Sequence, residues 1–169
     1  MLLVGFMASG KTTVGREVAR RLGWDFVDFD EEIERRLGRT ISEVFATDGE
    51  QAFRAEEARV GSELLGRERA VLASGGGWPA GAGRMDALGP DTFSVWLRVE
   101  PATVLTRAGE DGDTRPLLRG EDVQKAVRAL LAEREPFYAR ARLHLDTDRA
   151  SPEDLADAVL RAVVAHDPL

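Results

Sequence analysis

A glycine-rich turn near the start of the chain has the residue types that bind phosphate. Residues 5–12 read Gly-Phe-Met-Ala-Ser-Gly-Lys-Thr and lie between a short apolar run and a segment with helical spacing. The glycines let backbone amides face phosphate oxygens, and the following helix adds its positive N-terminal end. Lys11 is expected to reach the β- and γ-phosphates, and Thr12 to give a hydroxyl to Mg²⁺. The flanking strand and helix favour a nucleotide site over a chance match, with these expected contacts: Gly5, Ala8, Ser9, Gly10, Lys11, Thr12 and Thr13.

Two acids close the second strand candidate, residues 24–29. Ligands of α/β sheets bind beyond the carboxyl ends of the strands, so Asp28 and Asp30 are expected to face the phosphates. Asp28 could hold Mg²⁺ through water, and Asp30 could orient an attacking hydroxyl or accept its proton. The alternative is a solvated acidic turn that caps the next helix.

Three glycines and an arginine are further candidates for residues that contact a ligand. Gly75, Gly76 and Gly77 directly follow a buried-strand candidate, which favours close approach of a ligand to the backbone over an ordinary flexible turn. Arg54 has acids three and four residues away, so on spacing alone it pairs with them across helical turns. Binding of an anion by Arg54 is the competing interpretation.

Strand-like and helix-like segments alternate along the chain. Strand candidates lie at 2–4, 24–29, 70–73, 92–99 and 142–146. Helical patterns separate most of them: 12–22, 31–37, 41–45, 51–65, from Pro101, 123–138 and from Ser151. This alternation predicts a parallel sheet with helices on both faces. Since no repeat or linker divides the 169 residues, we expect one domain.

The composition argues against several classes of function. A net charge of −7 disfavours a nucleic-acid surface or an anionic membrane as partner. The absence of cysteine excludes disulfides, thiolate metal sites and cysteine nucleophiles. The apolar runs are too short to span a bilayer, and the start of the chain shows no secretory signal, so we expect a cytoplasmic protein. Neither His144 nor His166 is expected to take part in chemistry.

Several motifs, in this order, resemble the shikimate kinase family along nearly the whole chain. Beyond the turn and the two acids, they are the segments 38–41 (GRTI), 41–45 (ISEVF), 49–54 (GEQAFR), 56–57 (EE), 74–77 (SGGG), 114–118 (TRPLL) and 134–138 (REPFY). The resemblance implies a P-loop kinase of the nucleoside-monophosphate-kinase type. Its fold is a three-layer α/β/α sandwich with a mainly parallel five-stranded sheet. A mobile lid is expected at about 108–120, and acceptor-binding helices at about 31–65.

The resemblance also implies the reaction and its acceptor site. ATP-dependent phosphorylation of shikimate to shikimate 3-phosphate is expected, as a step in the synthesis of chorismate and the aromatic amino acids. Arg54 and Arg134 would bind the carboxylate of shikimate, for which guanidinium groups suit bidentate hydrogen bonds. Asp30 and the glycines 75–77 would hold its hydroxyls.

Further roles follow from the same resemblance. Catalysis is assigned to Lys11, Asp30 and Arg115, with Arg115 on the lid stabilising charge on the transferred phosphoryl group. Arg107 and Pro152 would contact ATP, while Thr12 and Asp28 would hold Mg²⁺. The partners are therefore ATP and a small carboxylated polyol, and we expect a monomer.

Two alternatives and one departure from the family pattern remain open. The chain could phosphorylate another small polar acceptor, such as gluconate or a nucleoside monophosphate, or bind nucleotide without catalysis. A GTPase-type switch lacks support, because no strand is followed by Asn-Lys-x-Asp. Trp78-Pro79 stands where the family usually has smaller or aliphatic residues. Trp78 either narrows the acceptor pocket or packs away from it.

Overall fold

A parallel sheet forms the centre of the molecule in a computed structural model that describes residues 1–110 and 123–166. Its strands are β1 (Leu2–Val4), β2 (Asp25–Asp28), β3 (Ala70–Ala73), β4 (Ser94–Arg98) and β5 (Leu143–Asp146). They are ordered β2-β3-β1-β4-β5, and every neighbouring pair is parallel. In the register, Leu3 of β1 is paired with Ala73 on one side and Val95 on the other. The predicted fold class is confirmed.

Helices cover both faces of this sheet. In the described part of the chain they are α1 (Lys11–Leu22), α2 (Phe29–Leu37), α3 (Ile41–Thr47), α4 (Gly49–Leu64), α5 (Pro101–Glu110), α6 (Val123–Tyr138) and α7 (Pro152–His166). A short 3₁₀ turn spans Trp78–Ala80. No helix in these described stretches is both long and apolar enough to span a membrane.

The two apolar cores are separated by the sheet itself. Successive strand residues point to opposite faces, so Leu2 and Val4 enter one core and Leu3 enters the other. The Leu3 side packs against α1 and α7, and the opposite side packs against α2, α4 and α6. Because both faces are covered, β1 is apolar throughout and fully buried.

The parallel strand order brings three connecting segments together at the carboxyl ends of the strands. From β1 the chain passes to β2 on one side and later to β4 on the other, so β1 lies at a topological switch point. The carboxyl ends of parallel strands face the same way, and ligands bind where the strand order reverses. The glycine-rich turn after β1, Asp28 at the end of β2, and the glycines after β3 therefore lie at the same end of the sheet.

Of the element boundaries that differ from the sequence prediction, two bear on the site. The second strand ends at Asp28, and Asp30 lies in the first turn of α2, because the Asp28 side chain accepts a hydrogen bond from the Asp30 amide and caps the helix. Helix α5 continues to Glu110, three residues into the segment predicted as lid. The rest of the predicted lid, with Arg115, lies outside the described residues.

A capping box at the start of α3 predicts a measurable stability difference. The Thr40 hydroxyl accepts from the Glu43 amide, and the Glu43 carboxylate accepts from the Thr40 amide. Thr40→Ala removes the acceptor of the Glu43 amide and is expected to cost about 1 kcal/mol. Thr106→Ala is the matched control, since that exposed hydroxyl donates to the Ala102 carbonyl of its own helix. Urea denaturation measures both, and equal stability of the two variants would contradict the capping role.

Candidate active site

The glycine-rich turn wraps around the N-terminus of α1. Gly10 caps the helix with a φ of 87°, and Ala8 has a φ of 58°, a left-handed conformation that residues with a side chain seldom adopt. Strain of this kind persists where the surrounding structure requires it, often at ligand sites. Lys11 donates from Nζ to the carbonyls of Gly5 at 2.9 Å and Phe6 at 2.8 Å, which holds its ammonium group across the turn.

Thr12 and Asp28 form an oxygen-rich pair beside this turn. The Thr12 hydroxyl donates to Oδ2 of Asp28 at 2.7 Å, and Oδ1 of Asp28 accepts from the Asp30 amide at 2.9 Å. A Mg²⁺ ion uses hard oxygen ligands and is held by few protein groups together with water and substrate phosphates. A hydroxyl and a carboxylate next to a phosphate cradle fit that requirement.

A cleft of about 810 Å³ opens over the turn and extends toward α3, α4 and α6. Its walls include nearly all of the predicted site residues that the structure describes: Ala8, Ser9, Gly10, Lys11, Thr12, Thr13, Asp28, Asp30, Arg54, Gly75, Gly76, Gly77, Arg107, Arg134 and Pro152. Gly5 does not line the cleft. It lies below the turn with a φ of 149°, and a side chain there would meet the Leu97 carbonyl at 2.5 Å. Its contribution is to the shape of the turn.

The glycines after β3 let charged side chains approach the backbone. A Cβ atom on Gly75 would lie 2.5 Å from Oε1 of Glu57 and 2.9 Å from Oδ1 of Asp30, and one on Gly77 would collide with the Arg54 guanidinium. A side chain at either position would require the charged end of Glu57, Asp30 or Arg54 to move away from the backbone. The groups that approach these glycines in the structure are side chains of the protein, and close approach of a ligand to them stays a prediction.

Arg54 both pairs with acids and lines the cleft. Its guanidinium contacts Glu57 at 3.0 Å and Glu50 at 3.2 Å, as the helical spacing predicts. The side chain also reaches the wall of the cleft beside Gly77. The two interpretations of this residue are therefore compatible, because a guanidinium has five N–H donors and the acids occupy only some of them.

Arg134 enters the same cleft from α6. It is 7% exposed, and its guanidinium lies 5.8 Å from the centre of the Phe6 ring. A Cβ atom on Gly76 would lie 3.5 Å from its Nη1. Two arginines 80 residues apart in sequence thus meet around the glycines that follow β3. Their role in binding a ligand stays a prediction.

Asp30 has an unusual electrostatic environment. Its Oδ1 is shielded from solvent and has no hydrogen-bond partner among the described residues. Burial, followed by repulsion from Asp28 and Glu57, raises the pKa of Asp30 to about 6, while Lys11 acts in the opposite direction. A carboxylate with a pKa in this range can hold or release a proton near neutral pH.

Two residues that support the site were not identified as functional from the sequence. Glu57 is 1% exposed and pairs with Arg54, so its carboxylate forms part of the cleft floor. Tyr138 donates from its hydroxyl to the Gly76 carbonyl at 2.5 Å and thereby fixes the middle glycine. Burial raises the pKa of Tyr138, which keeps this donor protonated. The signals available were the acid three residues after Arg54 and the tyrosine four residues after Arg134.

Arg107 and Trp78 differ in their position relative to the cleft: Arg107 lines it and Trp78 does not. Arg107 donates to the Ala8 carbonyl at 3.0 Å and to the Thr147 carbonyl at 2.9 Å, which joins the glycine-rich turn to the segment after β5. Trp78 is buried against Phe29 with a ring separation of 5.6 Å and does not line the cleft. Of the two expectations for Trp78, packing away from the pocket is the correct one.

The raised pKa of Asp30 predicts how stability depends on pH. Its pKa of about 6 in the folded chain exceeds the ordinary 3.8, so the folded state binds this proton more tightly. The resulting stability is fully present below about pH 4 and is lost as the pH rises through about 6, with a total of at most about 3 kcal/mol. Asp30→Asn carries no titrating group, so relative to wild type it should gain stability over this interval. Urea denaturation across the interval measures the difference, and parallel curves would contradict it.

Comparison with known proteins identifies the family. The family model described as shikimate kinase matches residues 7–164. Shikimate kinase of Moorella thermoacetica is 43% identical over 165 residues, covering 98% of this chain and 94% of the relative. That of Mycobacterium avium is 43% identical over 169 residues, covering 99% and 92%.

Solved structures agree at the level of the whole fold. The structure of Acinetobacter baumannii shikimate kinase in complex with shikimate has a TM-score of 0.91 and 38% identity, covering 98% of this chain and 93% of that one. A deoxyadenosine kinase from M. mycoides, at 13% identity and a TM-score of 0.65 over 96% of this chain and 97% of its own, shares the fold alone. With a family model over most of its length and relatives 43% identical across nearly all of it, this chain belongs to the shikimate kinase family.

Proposed function

We propose that this chain transfers the γ-phosphoryl group of ATP to a hydroxyl of shikimate, giving shikimate 3-phosphate and ADP. The observation that carries the proposal is the shared cleft, in which the guanidinium groups of Arg54 and Arg134 lie in the same cavity as Lys11 and its glycine-rich turn. One cavity can thus hold an acid and a polyphosphate together. The relative from A. baumannii, solved with shikimate, supports the choice of acceptor.

The acceptor is bound by positively charged donors at its carboxylate and by a carboxylate and backbone groups at its hydroxyls. Arg54 and Arg134 donate charge-assisted hydrogen bonds to its carboxylate, and both retain donors for this purpose beside their partners in the protein. Asp30 accepts from the hydroxyl that reacts, while the remaining ring hydroxyls lie against the backbone of residues 75–77, which add no side chain of their own. This arrangement orients one hydroxyl toward the nucleotide.

The chemistry requires positioning and charge stabilisation more than covalent participation by the protein. The acceptor oxygen forms a bond to the γ-phosphorus, the bond to the β–γ bridging oxygen breaks, and the hydroxyl proton passes to Asp30. Lys11 and the amides of the turn stabilise the negative charge of the phosphates. Thr12 and Asp28 would hold Mg²⁺, which when bound offsets charge on the β- and γ-phosphates. Arg115 keeps its predicted role in the lid, outside the described residues.

The alternatives are less well supported. Arg54 and Arg134 suit a carboxylate, which favours an acid over a nucleoside monophosphate. Gluconate also has a carboxylate, so the choice of shikimate over gluconate depends on the relatives and on the A. baumannii structure solved with shikimate. A homologue that only binds nucleotide has no evident need for Asp30 with a raised pKa. The monomeric state and the cytoplasmic location stay predictions.

A coupled assay of ADP release tests the proposal directly. The chain is incubated with ATP and Mg²⁺ and offered shikimate, gluconate, a nucleoside monophosphate or no acceptor. Turnover with shikimate well above the other three is the expected result. Faster turnover with another acceptor than with shikimate would refute the proposed function. ATP binding without turnover on any acceptor would also refute it.

The carboxylate role of Arg54 predicts a selective loss of acceptor binding. Arg54→Ala removes charge-assisted hydrogen bonds of about 1.5–3 kcal/mol, so the KM for shikimate should rise about 10- to 100-fold. The KM for ATP should change little. Arg59→Ala is the matched control, because Arg59 lies on the same helix and pairs only with Glu56 and Glu63 among described residues. An unchanged acceptor KM in Arg54→Ala would overturn this assignment.

Proton acceptance by Asp30 predicts a pH-dependent rate. The carboxylate must be ionised to take the hydroxyl proton, so kcat/KM for shikimate should fall about tenfold per pH unit below a pKa near 6. The measurement is a pH profile at saturating ATP and Mg²⁺. Asp30→Asn should lower kcat strongly and remove this acid limb. If the residual activity of Asp30→Asn kept the limb, another group would be responsible for it.

A further inference from the structure

Trp78 lies directly behind the acceptor side of the cleft. It follows Gly77 in the chain, begins the 3₁₀ turn and is 2% exposed. Its indole meets the Phe29 ring edge to face, at an interplanar angle of 89°. Phe29 is the residue before Asp30, so the indole supports the first turn of the helix that carries this carboxylate.

The same indole also packs against the helix that carries Arg54. It lies on Gly61 of α4, where a Cβ atom would collide with the indole nitrogen. Gly61 is one helical turn beyond Glu57, on the same face of α4. A single buried side chain therefore contacts both α2 and α4, the helices from which Asp30, Arg54 and Glu57 enter the cleft.

Arg84 connects Trp78 to the charges of the cleft. Its Nη1 donates to the Trp78 carbonyl at 2.9 Å, and its guanidinium lies 5.5 Å from the centre of the Trp78 ring. Nη1 is also 3.6 Å from Oε2 of Glu57, the oxygen that Arg54 contacts at 3.0 Å. Arg84 does not line the cleft. The buried Glu57 carboxylate is thus shared by one guanidinium in the cleft and one behind it.

This sharing affects how freely Arg54 can bind a ligand. A buried carboxylate needs compensating charge and hydrogen bonds. Glu57 accepts hydrogen bonds from Arg54 and gains further positive charge from Arg84, 3.6 Å away. Without Arg84, Glu57 depends on Arg54 alone, which draws the Arg54 guanidinium toward the cleft floor and reduces the donors it offers to a ligand. The face of the indole holds Arg84 in the orientation that prevents this.

We infer that Trp78 and Arg84 are positioning residues for acceptor binding, which set the Arg54 guanidinium through Glu57. The inference rests on the proposed function and extends it to residues that do not touch the substrate. No described residue accepts a hydrogen bond from the Trp78 indole nitrogen. Its contribution therefore comes from shape and from the ring face, and phenylalanine should retain part of it.

Kinetics and calorimetry of variants test the inference. Trp78→Ala and Arg84→Met should each raise the shikimate KM and Kd about tenfold, with kcat and the ATP KM changed less than about threefold. Trp78→Phe should lie between wild type and Trp78→Ala. If both residues act through Glu57, the double variant Trp78→Ala/Arg84→Met should be little worse than the more affected single variant. Circular dichroism establishes that each variant is folded at the assay temperature.

A control separates positioning from general loss of packing. Trp24 packs at the edge of the core on the opposite face of the sheet. Trp24→Ala should lower thermal stability and leave the shikimate KM unchanged. Arg84→Met and Trp78→Phe make smaller changes to the core than Trp78→Ala, so they decide the question if Trp78→Ala fails to fold.

The outcomes distinguish this inference from the proposed function. Wild-type turnover of shikimate together with an unchanged shikimate KM in folded Arg84→Met and Trp78→Phe overturns the positioning role alone. Equal increases in the KM values for ATP and shikimate also overturn it, because they indicate general damage. A wild-type chain that neither binds nor phosphorylates shikimate overturns the proposed function, and this inference with it.

Discussion

The close approach of charged side chains to the backbone after β3 is the constraint on which the site depends. Glu57 and Asp30 reach Gly75, and Arg54 reaches Gly77, at distances that a Cβ atom would not permit. These side chains come from α2 and α4, so side chains introduced into the glycine segment would displace charged groups from both helices. Tyr138 secures the same segment from α6 through the Gly76 carbonyl. The acceptor side of the cleft is therefore assembled by tertiary contacts around a short stretch of backbone.

The assembly requires acidic side chains to be buried, which is unfavourable, and the arginines reduce the free-energy penalty of burying them. Glu57 is almost inaccessible to water and is balanced by Arg54 and Arg84, a pairing that contributes little net stability but fixes geometry. Among the described residues, Oδ1 of Asp30 has no hydrogen-bond partner. Burial, together with repulsion from Asp28 and Glu57, raises the pKa of Asp30. The same environment that destabilises ionised Asp30 gives it the affinity for a proton that phosphoryl transfer to a hydroxyl can use.

The glycine-rich turn and the parallel sheet could be predicted from sequence, whereas the exact helix starts and the surroundings of individual site residues could not. The glycine-rich turn follows from eight consecutive residues, and the parallel sheet follows from the alternation of apolar segments. The raised pKa of Asp30 comes first from burial, then from Asp28 and from Glu57, which lies 27 residues away, and no periodicity reveals this burial or this contact. Helix α2 begins at Phe29 because Asp28 caps it, a preference too weak to fix a boundary in advance. The orientation of Trp78 could not be predicted either, because it depends on Gly61, a residue 17 positions earlier against which the indole packs.

Placement of charge, and not its total, explains how an acidic chain can bind two anions. Among the described residues that line the cleft, four carry positive and four carry negative charge: Lys11, Arg54, Arg107 and Arg134 against Asp28, Asp30, Glu34 and Glu57. Such a cleft has little net field to attract anions from a distance. Recognition must come from contact, through the amides of the turn and the donors of Arg54 and Arg134. Acids that orient these donors are then useful neighbours, because they fix where a carboxylate or a phosphate can be bound.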